Sequence, residues 1–174
     1  MRAFVAVEVP SASAEAHRAA APEHLTLLFL GEVDPHRVAP IAEALAPVGA
    51  KFAPFEVTLE HVGGFPSADR PRVVWLGATE GASALTELAL RVRQALPGWG
   101  DERGGATFVP HLTLFRVRSA RDRARALELL SGRAPPPPSR RFRVAEFVLK
   151  ESVLSARGAT HRTVASFPLA GPGP

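Results

Sequence analysis

The chain has 174 residues, 46% of them hydrophobic, which is enough to bury a real core as one domain or two small lobes and too apolar for global disorder. It carries no cysteine, so disulfide frameworks, thiolate metal sites and cysteine nucleophiles are excluded together, leaving histidine, carboxylates and hydroxyls for any chemistry. The net charge of +4 rests on 21 basic residues of which only Lys51 and Lys150 are lysines; the planar arginine fork suits a phosphate-bearing partner, and heat adaptation or codon bias enriches arginine equally.

Residues 2–9 alternate around Glu8 and read as a strand, not as an apolar leader. No window approaches the roughly 18 uncharged apolar residues of a membrane span, so a cytoplasmic protein without a membrane partner is expected. Pro10-Ser11 then caps a short alanine-rich helix to about residue 20. A second strand covers 24–30 and ends at Gly31. Asp34-Pro35 opens a helix through "HRVAPIAEALAPV", kinked or restarted at Pro40. Residues 55–62 and 72–76 read as strands joined by the turn-rich "GGFPSADRP". Residues 83–96 have helical apolar spacing and stop at Pro97-Gly98. After the glycine-rich "PGWGDERGGAT" come a strand over about 107–117, a helix over 119–130, the stiff spacer "APPPPS", and strands over 141–149 and 162–169. The order is β-α-β-α-β-β-α-β-α-β-β.

The tetrapeptide His-Leu-Thr-Leu occurs twice, at His24 and again 87 positions later at His111. From this chain's own composition a chance second copy is expected on the order of a few times per thousand such sequences. Side chains two apart on a strand share a face, so His24 projects with Thr26 and His111 with Thr113, while the leucines point the other way as apolar anchors. One equivalent strand in each half of the chain suggests two similar α+β lobes around a shared cleft.

Two imidazoles and two hydroxyls in one cleft suit in-line hydrolysis of a cyclic phosphodiester. A base takes a proton from water, an acid protonates the departing ribose oxygen, and the hydroxyls donate to the non-bridging phosphoryl oxygens. Imidazole titrates near pH ~6.5, so one neutral and one protonated ring coexist near neutrality. The scheme needs no metal and no cofactor. A zinc site is the rival, yet no third ligand is signalled by spacing; a non-catalytic RNA-binding module is a second, although no RNP-type motif speaks for it.

These motifs, with "MRAFVAVEVP", "GGFPSADRPRVVWLG" and "FVLKESVLSARGATHRTVASFPL" around them, resemble the 2H phosphoesterase superfamily over nearly the whole chain. Within it the likeness is to the bacterial and archaeal RNA 2′,3′-cyclic phosphodiesterases, historically called 2′-5′ RNA ligases. The resemblance implies an α+β, bilobal, pseudo-twofold fold: one domain over residues 1–174, with two antiparallel-rich sheets and outer helices around a central cleft. It implies hydrolysis of a terminal RNA 2′,3′-cyclic phosphate to a 2′-phosphate by a monomer, with tRNA halves among the candidate substrates and 2′-5′ RNA ligation as the alternative. It transfers His24 as proton donor, His111 as proton acceptor, and Thr26 and Thr113 as phosphate-binding residues. Two departures stand out: the segment between Pro10 and Pro22 is short, and His161 stands where relatives often carry tyrosine.

Phe115 and Arg116 are the secondary candidates for RNA contact. Strict alternation places Phe115 on the His111 face and Arg116 with the leucines, so Arg116 reaches the site only if a bulge turns it. Trp99 suits either stacking on RNA or packing its own loop, and His17, His36, His61 and Arg72 receive no role.

Overall fold

The computed structural model describes residues 1–10, 23–99, 108–155 and 158–172. Among them are eight strands and three α-helices: β1 (Arg2–Val9), β2 (Glu23–Glu32), α1 (Val38–Ala50), β3 (Phe55–Phe65), β4 (Val73–Ala78), α2 (Ala82–Ala95), β5 (His111–Arg116), α3 (Ala120–Leu130), β6 (Arg140–Val144), β7 (Glu146–Ser155) and β8 (Gly158–Pro168). The helix expected over 11–20 lies outside the described residues.

All strand pairs are antiparallel, in the order β6-β3-β4-β5-β2-β1-β7-β8. The two expected sheets are present as two four-stranded halves. They fuse where β2 meets β5, and the register there pairs Leu25 with Leu112. The two strands carrying the repeated tetrapeptide are therefore neighbours in the middle of the sheet.

One face of this curled sheet carries the core. Leu25, Leu27 and Leu112 are buried with Leu85, Leu88 and Val92 of α2 and Ile41 and Leu45 of α1. The helix starts follow local chemistry. The Asp34 side chain accepts from the His36 amide over a short 3₁₀ turn, and α1 restarts at Val38, so Pro40 falls in the first turn where no intrahelical donor is lost. Ser119 and Asp122 cap α3 reciprocally, each accepting from the other's backbone amide.

The strand expected over 141–149 is two strands. β6 ends at Val144 on one margin of the sheet, and β7 begins at Glu146 beside β1 in the other half. Alternation reports which residues are buried, not which strand they pair with, so the change of partner at Ala145 leaves no local mark.

Candidate active site

The buried leucines hold the two central strands from below: Leu25 is 1% exposed and Leu112 2%. On the opposite face His24, Thr26, His111 and Thr113 line one cleft of about 810 Å³. Period-two alternation thus brings all four predicted residues to a single cavity.

Past each threonine the alternation breaks. Thr26 stands opposite Ala6 and Leu28 opposite Val5, so Leu27 is an extra residue in β2. Thr113 stands opposite Trp75 and Phe115 opposite Val74, so Leu114 is extra in β5. One inserted residue reverses the parity of every later position in its strand. The residue five places after each histidine, Phe29 in one half and Arg116 in the other, consequently returns to the cleft. Phe115 does not share the His111 face as alternation suggested: it turns away, and the Arg125 guanidinium of α3 lies 4.5 Å over its ring. The bulge that Arg116 required is present. Phe29 escaped sequence reading, although its matching offset from His24 is the signal that finds it.

The two imidazoles are held differently. Nδ1 of His111 lies 2.7 Å from the Val109 carbonyl oxygen. A carbonyl only accepts, so Nδ1 carries the hydrogen and Nε2 is the nitrogen left to exchange a proton. The ring packs edge-on to Phe65 at 4.9 Å and beside Trp75 at 6.0 Å. His24 packs against Phe4 at 4.8 Å and edge-on to His161 at 4.9 Å. His161 is therefore a third imidazole in the cleft.

Trp75 lies against the sheet because two glycines leave it room. A Cβ on Gly63 would sit 2.2 Å from the indole, and one on Gly77 2.7 Å from it. Gly63→Ala is expected to destabilise the fold by about 1–3 kcal/mol through overpacking and to slow catalysis by shifting the ring beside His111. Thermal unfolding and a rate assay check this; an unchanged melting temperature would mean that Trp75 yields freely.

Beside His24 on the cleft face is a charged cluster. Lys150, 1% exposed, donates to Glu8 Oε1 and lies 3.1 Å from Thr163 Oγ1, whose hydroxyl also donates to Glu8 Oε1 at 3.1 Å. Burial pushes the Glu8 carboxyl up, but the hydrogen bond and charge of Lys150, the Thr163 hydroxyl and the charge of His24 outweigh it and hold the group below its ordinary range. Burial, and after it the charge of Lys150, pushes His161 down. Arg140 of β6 donates to the Glu23 carboxylate and, at 3.0 Å, to the Pro10 carbonyl, tying one sheet half to the ends of β1 and β2 in the other.

The remaining candidates that the structure describes do not line the cleft. Trp99 packs on the core with Arg37 5.6 Å over its ring. His36 sits in the 3₁₀ turn, and the Arg72 backbone bonds to Phe65 and Val117. His61 borders Trp75 at 5.9 Å, and His17 lies outside the described residues. Among the described residues no three His, Asp or Glu side chains cluster as metal ligands, and no helix is long and apolar enough to cross a membrane.

A curled antiparallel sheet with two His-x-Thr strands side by side at its centre defines a 2H phosphoesterase. The sequence model of the 2′-5′ RNA ligase superfamily matches residues 5–153, and the chain belongs to that family. It is 35% identical over 182 residues to an RNA 2′,3′-cyclic phosphodiesterase of Archaeoglobus fulgidus, covering 96% of this chain and 99% of that protein. It is 35% identical over 141 residues to one from Aeropyrum pernix, covering 81% and 78%. The crystal structure of TT0787 of Thermus thermophilus superposes with a TM-score of 0.72 at 28% identity, over 99% of this chain and all of that one.

Proposed function

We propose that the chain hydrolyses the 2′,3′-cyclic phosphate at an RNA end to a 2′-phosphate, with His24 and His111 as acid and base. The observation that carries this reading is the convergence of two imidazoles and two hydroxyls on one cleft of nucleotide size. Nε2 of His111 takes a proton from water as the water oxygen bonds to phosphorus. The bond from phosphorus to the ribose 3′-oxygen breaks on the far side, and His24 gives that oxygen its proton. Thr26 and Thr113 donate to the non-bridging oxygens, where negative charge must be held through the transition state. Arg116 and Arg2, both in the cleft wall, attract the phosphate backbone, and Phe29, 66% exposed, offers a face on which a base stacks.

The test is incubation with a 2′,3′-cyclic-phosphate oligonucleotide in EDTA, with the product resolved as 2′- or 3′-phosphate. A 2′-phosphate product and a bell-shaped dependence of kcat/KM on pH are expected, because one ring acts protonated and the other neutral. Unchanged substrate, or a flat profile from about pH 5 to 9, overturns the reading.

A further inference from the structure

The two histidines are near-equivalent in sequence, yet their surroundings on the sheet are not. Glu8 of β1 stands directly opposite His24, and Gly77 of β4 directly opposite His111. The strand register thus places a carboxylate at the position paired with one imidazole and no side chain at the position paired with the other.

Among the described residues the cleft around His24 holds charges of both signs, Arg2, Arg116 and Glu23. Arg2 is paired with Glu32 at 3.8 Å, and Lys150 of β7 is buried behind Glu8. The neighbouring carboxylate, Glu23, is engaged by Arg140. Glu8 is the carboxylate paired with His24 across the β1–β2 register, and Lys150 with Thr163 holds it there in its ionised form. His161 of β8, edge-on to His24, has the opposite environment: burial and the Lys150 charge both disfavour its protonated form.

Taking the hydrolase reading as its basis, we infer that Glu8, held by Lys150 and Thr163 opposite His24, is a positioning residue that keeps the His24 imidazole protonated as the acid. The Glu8–Lys150 pair has no counterpart at the position paired with His111, which is Gly77. It breaks the pseudo-twofold symmetry of the site and gives the reaction its direction.

The experiment is an NMR titration of the imidazole carbons in the folded wild type, Glu8→Gln and Lys150→Met, with kcat/KM against pH on a 2′,3′-cyclic-phosphate oligonucleotide. In Glu8→Gln the His24 titration moves to lower pH by about one unit, a tenfold loss of protonated fraction. The basic limb of the rate profile moves with it: activity at pH 8 falls roughly tenfold while activity at pH 5.5 stays within about twofold. In Lys150→Met the His24 and His161 titrations both move to higher pH. Opposite signs from the two variants are the signature, since a loss of packing alone moves neither titration selectively. Should Glu8→Gln not fold with Lys150 unpaired, the double variant Glu8→Gln/Lys150→Met leaves no orphan charge, and His24 must then titrate lower than in Lys150→Met. An active wild type whose His24 titration and basic limb ignore Glu8→Gln overturns the inference and leaves the hydrolase reading standing. An inactive wild type overturns the hydrolase reading, while the titrations still decide whether Glu8 holds the His24 proton.

Discussion

His111→Ala is expected to lower kcat for hydrolysis of a 2′,3′-cyclic-phosphate oligonucleotide by about 10²–10⁴-fold, the usual worth of a positioned acid or base. KM should move far less, because the imidazole acts on the water and not on the bound ground state. His111→Asn separates chemistry from structure. Its amide nitrogen replaces Nδ1 and keeps the bond to the Val109 carbonyl, while the proton-exchanging Nε2 is gone. It should be as slow as alanine; a rate near wild type in His111→Asn would reduce His111 to a structural residue. His24→Ala should match the loss, and the double variant should fall well short of the product of the two, since acid and base serve one displacement.

The second large effect is expected on stability, at the seam. Leu25 and Leu112 face each other where the two sheet halves join, and both are buried beneath α2. Leu112→Ala removes a fully packed side chain from the place where neither half can easily close over the gap, at a cost of about 2–5 kcal/mol. Against a total of about 5–15 kcal/mol for an ordinary domain this is a large fraction. For a chain of this size it corresponds to a fall in melting temperature of roughly 5–15 °C by calorimetry or circular dichroism. Leu25→Ala should cost a similar amount, and the two costs should not add, because both empty the same contact. A fall under about 2 °C in Leu112→Ala would show that the halves are held together elsewhere.

Much of the site is a local property of the chain. The sharing of a face by His24 and Thr26, and by His111 and Thr113, comes from the pleat of an extended strand, as does the burial of the leucines between them. Helix starts at Asp34 and Ser119 were legible for the same reason: a cap is a bond between residues two or three apart. Beyond Thr113 the local rule failed. The extra residue at Leu114 exchanges the faces of Phe115 and Arg116, and a bulge exists only relative to the strand it pairs with. Phe29 was missed through the same effect at Leu27.

The cysteine-free chemistry, the duplicated His-x-Thr strand and the family could all be read from the chain before it was folded, because residue types and period-two spacing are written along the backbone. Three features became visible only in the folded sheet. The two repeated strands lie side by side, residues 140–155 part into β6 and β7 at opposite regions of the sheet, and Glu8 stands across from His24 but Gly77 across from His111. Each of these depends on which strand neighbours which, and pairing partners are chosen by the burial of the whole core over separations that no local pattern spans.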